Sequence, residues 1–234
     1  MARRTYLPNA SRGTFAEGEA DGERSQRRGT GRTARGREKR ELLLRAARTV
    51  FEREGFLHTR ISDICDEAGI SHGSFYTYFS SKEEIFQELI NDIELDVLTP
   101  ESSPDGADPF DRIRAANRHY LEAVRKHAAI LNVIEQVVTF DDDARATRDA
   151  REMAFAAALE RRTREYQEAG VADRRLDPGF AARALGAMVH AVASSMFNEG
   201  VEDYDIEQAT EQLTLLWTNA LGMDSDASPS KPAG

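Results

Sequence analysis

The sequence predicts an all-α protein of about nine helices, a three-helix unit followed by a larger helical body. Three observations carry this prediction. Apolar residues recur at i, i+3, i+4 and i+7 in segment after segment, the spacing that lines one face of a helix. Ser, Thr or Asp stands at most of the starts, and Gly or Pro at most of the ends. No segment alternates with the period of a strand, and no internal repeat is visible.

Residues 1–36 are rich in Gly, Arg, Ser and Glu and poor in apolar side chains, so burial cannot offset the entropy of ordering them; a largely disordered arm is expected. From Glu38 the pattern becomes helical: Leu43, Ala47, Val50 and Phe51 share a face, and Gly55 can end the helix. Thr59 is the expected N-cap of a second, short helix with the stripe Ile61, Ile64, Cys65 and Ala68, closed by Gly69. Ser71 then caps a third helix reaching Phe79. Ser81 and Glu84 read as a capping box for a fourth, which carries Ile85, Phe86, Leu89, Ile93 and Val97 and ends before Pro100.

A loop over residues 99–108 leads to Asp108-Pro109, N-cap and first residue of a fifth helix with Phe110, Ile113, Asn117, Tyr120, Leu121 and Val124 on one face. A sixth helix is expected over residues 128–138 and a seventh from Asp141 to about Ala169. Asp177-Pro178 opens an eighth, and Asp205, with Gln208 three places on, a ninth. The expected organisation is therefore a basic arm (1–36), a helix-turn-helix domain (37–82), a helical body (83–222) and a polar tail (223–234).

Charge is divided unevenly. The chain as a whole carries −10, but residues 1–40 hold 11 Lys and Arg against 5 Asp and Glu, leaving 20 against 36 for the rest. A basic arm suits a polyanion such as DNA, and the acidic body should face away from phosphate. The single cysteine, Cys65, excludes an intramolecular disulfide and sits on a buried stripe, where inert packing is expected. No segment is expected to span a membrane: the most apolar stretch, Phe180 to Phe197, is interrupted by Arg183 and His190. The arginine-rich N-terminus lacks the apolar core of a secretory signal, and a cytoplasmic protein is the simplest reading. No nucleophile–base arrangement, phosphate-cradling glycine loop or metal-ligand spacing is legible, so no enzyme activity and no cofactor are expected. Asp141-Asp142-Asp143 reads as acidic residues at a helix N-terminus.

Gly69-Ile70-Ser71 joins two short helices as a helix-turn-helix. Ile61, Ile64, Ala68, Ile70 and Phe75 would form a small core that fixes the third helix, leaving its outer face to enter a major groove. The run from Thr59 to Glu84 closely resembles the DNA-binding signature of the TetR family of bacterial repressors. The likeness includes the Ala-Gly-Ile-Ser turn, Gly73, the Tyr76-x-Tyr78-Phe79 cluster and the Ser81-Lys82-Glu83-Glu84 helix start, and it extends back to Ala46-Ala47 and Phe51…Gly55-Phe56. His72 stands where the family often has Lys, and Ser80 where it often has Pro.

The resemblance implies a sequence-specific transcriptional regulator, a repressor released from a double-stranded, palindromic DNA operator by a small-molecule effector. It implies that Thr59 and Arg60 meet the phosphate backbone and that Ser71, His72 and Ser74 reach base edges. Gly73 would permit close approach, Tyr76, Thr77 and Tyr78 would contact phosphates or the groove, and Lys82 would clamp a phosphate. In such proteins the last two long helices form a dimeric bundle, which would use Leu185, Met188, Val192, Met196, Leu213, Leu216, Trp217 and Ala220 in a homodimer. An effector pocket in the body would be lined by Asn117, Tyr120, Val124, Ile134, Phe140, Met153, Phe155, Tyr166 and Met188, with His119, His127, Gln136 and His190 as further polar candidates. The alternative is an architectural or adaptor DNA-binding protein without a small-molecule input.

Overall fold

The computed structural model describes residues 34–98, 107–197 and 204–223, so the expected arm up to Thr33 and most of the expected tail lie outside the described residues. Those residues form eight helices: α1 (Ala34–His58), α2 (Ile61–Ala68), α3 (His72–Phe75), α4 (Lys82–Leu98), α5 (Pro109–Val137), α6 (Asp142–Glu168), α7 (Pro178–Phe197) and α8 (Ile206–Ala220). The expected fifth and sixth helices are one. Nothing between Val124 and Val137 breaks a helix, and Ile130, Val133 and Ile134 continue the buried stripe of α5 one turn after another. The first helix also starts earlier than expected, at Ala34. The third is shorter, giving way after Phe75 to a turn in which Thr77 N–H donates to Ser74 O and Tyr78 N–H to Phe75 O.

Helix starts follow the sequence closely. Asp108, Asp141, Asp177 and Asp205 accept backbone N–H bonds from Phe110, Ala144, Phe180 and Glu207. Each carboxylate thus satisfies one of the donors that a helix leaves open at its first turn. The Ser81 box is half formed: Ser81 Oγ accepts from Glu84 N–H, but the Glu84 carboxylate turns to the amide and hydroxyl of Ser80.

Helices α1 to α4 enclose a core of Leu43, Val50, Phe51, Phe56, Ile64, Phe75, Phe79 and Phe86. Phe56 and Phe86 lie 4.6 Å apart between ring centroids, and Phe51 and Phe86 5.0 Å, an aromatic cluster that ties α1 to α4. In the body α5 is the central helix, packed by α8, α7, α4 and α1, while α6 packs on α7. Its buried Asn117 donates from Nδ2 to Thr214 Oγ1 of α8 at 3.3 Å, which gives that buried amide a partner across the seam. By length and composition alone α7 would be long and apolar enough to cross a membrane, with a mean hydropathy of 1.3, but eight of its residues, among them Leu185, Val189 and Met196, are buried within the chain.

Candidate nucleic-acid interface

The helix-turn-helix is built on three backbone decisions. Gly55, at φ 75°, takes the chain out of the α1 spiral, a conformation that costs an L side chain strain. The chain re-enters helix at α2 with Arg60 as N-cap, its backbone N–H donating to Asp63 Oδ2 at 2.8 Å. Gly69, at φ 64°, then closes α2 in the left-handed conformation, with Ile70 N–H donating to Cys65 O at 3.0 Å. Ser71 caps α3, its hydroxyl 2.9 Å from that of Ser74. Phe75 and Phe79 are buried, so α3 is anchored through one face.

The opposite face is solvent-exposed. It presents Arg60, Ser71, His72, Gly73, Tyr76 and Thr77, with Ser74 and Tyr78 half-buried beside them. The His72 and Tyr76 rings meet edge to face at 5.4 Å, which braces two exposed side chains one helical turn apart. A Cβ added at Gly73 would meet nothing among the described residues, so the fold itself does not require glycine there.

Two sequence expectations change. Thr59 is neither N-cap nor exposed: it is buried, and its hydroxyl donates to Gly55 O at 2.7 Å, closing the α1–α2 turn. Its backbone is engaged as well, the N–H donating to Gly55 O at 3.3 Å and the carbonyl accepting from Lys82 Nζ at 3.0 Å. Lys82 is engaged inside the protein. Its ammonium donates to Phe56 O at 2.8 Å and Thr59 O at 3.0 Å and sits 4.4 Å from the centre of the Phe56 ring. It braces the start of α4 against the end of α1, because those carbonyls have no further helix to bond and take a cation instead. Cys65 is buried, and burial pushes its thiol above the ordinary range.

The residues expected to line a pocket divide three ways. Val124, Ile134 and Tyr166 are buried in the monomer core, as is Asn117 in the α5–α8 seam. Phe140 and Met153 are exposed, the one in the α5–α6 turn and the other on α6, and do not point inward. Tyr120, Phe155 and Met188 are half-buried where α5, α6 and α7 meet. There Tyr120 OH lies 3.1 Å from His190 Nδ1, and Phe155 and Leu159 of α6 pack beside Gly186 of α7. Burial first, and the Glu152 carboxylate second, push the Tyr120 phenol up to about 12. Glu152 escapes a reading of the sequence, since nothing in its spacing distinguishes it from the other charges of α6.

The expected dimer residues also split. Leu185, Met196, Leu213 and Trp217 are buried within the single chain, Met188 and Val192 are half-buried, and Leu216 and Ala220 are exposed. Periodicity locates two apolar stripes but not which one turns inward. The outward stripe is Phe180, Ala184, Ala187 and Ala191 on α7 and Leu215, Leu216 and Ala220 on α8.

Two clefts open on the surface. One, about 380 Å³, runs along α5 past Asp111, Arg114, Arg118 and Glu122. The other, about 420 Å³, lies where α1, α4 and α5 meet, bordered by Arg48, Asp96, Lys126 and His127. None of the nine expected lining residues borders either.

Residues 43–89 match the family model for bacterial regulatory proteins of the tetR family. An HTH-type transcriptional regulator of Bacillus subtilis, YdgC, is 30% identical over 203 residues, covering 82% of this chain and 98% of the relative. The transcriptional repressor KstR2 of Mycolicibacterium smegmatis is 29% identical over 147 residues, covering 60% of this chain and 68% of the relative. A TetR-like transcriptional regulator from Rhodococcus sp. RHA1 superposes with a TM-score of 0.56 at 26% identity, covering 79% of this chain and 96% of that one. A helix-turn-helix with a buried aromatic anchor and an exposed polar face, joined to a helical body and matched by nearly the whole length of a bacterial regulator, makes the chain a member of the TetR family of DNA-binding transcriptional regulators.

Proposed function

We propose that the chain is a homodimeric repressor whose two α3 helices read the half-sites of a palindromic operator, and that a small molecule held in the body releases it. The observation that carries the DNA reading is the division of α3. One face is fixed by buried Phe75, and the other exposes Ser71, His72, Gly73 and Tyr76, which nothing among the described residues covers. Glycine at 73 has no internal cause there, which fits a backbone that must approach a surface outside the protein. Arg60 and Tyr76 serve as phosphate contacts, and Ser71, His72 and Ser74 as base contacts. A single helix of this length holds DNA weakly, so pairing through the outward stripes of α7 and α8 supplies the second reader. The KstR2 relative, named as a repressor, supports repression as the output.

The body carries the effector reading. Tyr120 and the exposed His190 pair between α5 and α7, beside half-buried Phe155 and Met188, a polar pair next to apolar side chains of the kind that orients a small molecule. The alternative, a DNA-binding architectural protein with no small-molecule input, is favoured by one observation: of the expected pocket residues only the polar candidates His119 and His127 border the two surface clefts. Selection of bound duplexes from a random pool tests the DNA reading: a palindrome with half-sites about one helical turn apart is expected. A pool without a motif would overturn specific regulation and leave the architectural reading. Release of the selected duplex by a compound, lost in Tyr120→Phe or His190→Ala, separates the two for the body.

A further inference from the structure

The DNA-binding end and the body are joined by a chain of polar contacts that the operator-reading residues do not use. Arg48 of α1 reaches across to α5. Its Nη1 lies 2.9 Å from His127 Nδ1, its Nη2 donates to Lys126 O at 3.1 Å, and its Nε donates to Glu52 Oε1 at 2.7 Å. On its other side the His127 ring lies 2.8 Å from Asp96 Oδ2 of α4, which also accepts from Lys126 Nζ at 2.7 Å. His127 is buried, and α4 belongs at once to the helix-turn-helix core, through Phe86, and to the body, through its packing on α5.

These partners dictate the state of the ring. A guanidinium only donates, so Nδ1 facing Arg48 must be the lone-pair nitrogen; a carboxylate only accepts, so Nε2 must carry the hydrogen. The neutral Nε2–H tautomer is thus the one form of His127 that satisfies both neighbours. A second proton has one place to go, Nδ1. There it removes the acceptor of Arg48 and sets an N–H, on a cationic ring, against a guanidinium. The charged groups around the site are Glu41, Arg45 and Arg48 from α1, Asp92 and Asp96 from α4, and Lys126 from α5 itself, with Glu52 held by Arg48.

We propose that His127 is a positioning residue that registers the DNA-binding end on the body only while its ring is neutral, so that protonation detaches Arg48 and loosens the placement of α3. The proposal rests on the repressor reading above, because it is the spacing of two α3 helices that the looseness would spoil. A head that occupies its competent placement for a fraction of the time has its DNA affinity reduced by that fraction. Burial, ahead of the partly opposing Asp96 hydrogen bond, places the titration below the ordinary histidine range, so the effect appears on acidification below it.

The test is binding of the full-length dimer to its selected operator duplex, followed by fluorescence anisotropy at fixed ionic strength between pH 7.5 and 5. His127→Gln keeps one acceptor and one donor but cannot take up a proton. Arg48→Met removes the partner that protonation would expel. The wild type is expected to lose about tenfold in affinity relative to His127→Gln across this range. His127→Gln should match the wild type at pH 7.5, and Arg48→Met should bind more weakly at every pH without that extra proton dependence. Circular dichroism at each pH confirms that all three remain helical. Parallel pH profiles for the wild type and His127→Gln would overturn the inference while leaving the repressor reading intact. Failure of the wild type to bind any selected duplex at pH 7.5 would instead overturn the repressor reading.

Discussion

The helix-turn-helix end and the paired helices α7 and α8 are both amphipathic, yet they deal with their apolar faces differently. At the DNA-binding end the stripe Leu43, Val50, Phe51, Ile64, Phe75 and Phe79 closes on itself within about forty residues and leaves a polar exterior. In α7 and α8 the inward stripes, Leu185, Val189 and Met196 with Leu213 and Trp217, are also satisfied within the chain, but a second set remains outside, including Phe180 and Leu216. The first leaves no large apolar stripe on its outer face, though α1 and α4 also pack on α5; the second keeps one exposed.

The sharpest way to break the comparison is to attack the closed core. Phe75 is fully buried and anchors the four-residue α3. Phe75→Ala should destabilise the protein by about 3–5 kcal/mol, the range for deleting a buried aromatic ring. Urea unfolding monitored by circular dichroism gives the value. A loss under about 1 kcal/mol would mean that α3 does not depend on this anchor.

The next effect falls on the open face. Leu216 is 52% exposed in the single chain, so Leu216→Glu should leave monomer stability within about 0.5 kcal/mol of the wild type. If the face is a dimer interface, the same change places a carboxylate in an apolar contact and should raise the dimer dissociation constant about a hundredfold or more, the consequence of losing a buried leucine and burying a charge. Sedimentation equilibrium distinguishes the outcomes. An unchanged dimer would move the interface elsewhere. Leu213→Ala, on the inward stripe of the same helix, should behave in the opposite way, lowering stability by about 2–5 kcal/mol while leaving the outward face as it is.

This pair of variants marks where the sequence was legible. The starts led by an aspartate, Asp108, Asp141, Asp177 and Asp205, were legible almost to the residue, because an aspartate before a helix has a local job that needs no tertiary context. The turn at Gly69 was legible for the same reason. Orientation was not. Leu213 and Leu216 are both apolar residues on one helix, and only the position of α5 decides that the first is inside. The internal partners of Thr59 and Lys82 were not legible for a related reason. Their types suit phosphate contact, but Gly55 O, Phe56 O and Thr59 O lie closer, left open by the break in α1. The Arg48–His127–Asp96 chain joins residues 79 and 31 apart in sequence, a link that no local pattern announces.

Smaller effects separate the two kinds of contact on the reading face. Ser74→Ala and His72→Ala remove groups assigned to base edges and should each cost about 1–3 kcal/mol on the selected operator, with relaxed preference at one position of each half-site. Arg60→Ala should weaken binding to all duplexes alike and lower the dependence of log K on log salt by about 0.9 for each phosphate that its guanidinium neutralises. Anisotropy on operator and scrambled duplexes at several salt concentrations tells them apart. A uniform loss for Ser74 and His72 would reassign both to the phosphate backbone.

The smallest expected effect lies at the joint between the two regions and shows in pH dependence. Hydrogen bonds from Lys126 and His127 hold the Asp96 carboxyl down at about 2, well below the ordinary aspartate range. A carboxyl whose pKa is lower folded than unfolded binds more protons in the unfolded state, so its contribution to stability is fully present above the unfolded value and is lost as pH falls towards 2. His127 is depressed for a different reason, burial, but the sign is the same: its contribution is complete above the ordinary histidine value and is lost as pH falls below it. The wild type should therefore lose thermal stability on acidification in two stages, the histidine first and the carboxylate second. Asp96→Asn should flatten the second stage and, by removing the charge that favours a protonated ring, extend the first to lower pH. Melting temperatures of wild type and Asp96→Asn between pH 7.5 and 3 check both. Because the Asp96 side chain is 40% exposed, solvent screens the pair and the shift in melting temperature should be a few degrees at most. If the two curves ran parallel, the Asp96 carboxylate would contribute nothing to the stability of the joint, which would then rest on the packing of α1 and α4 against α5.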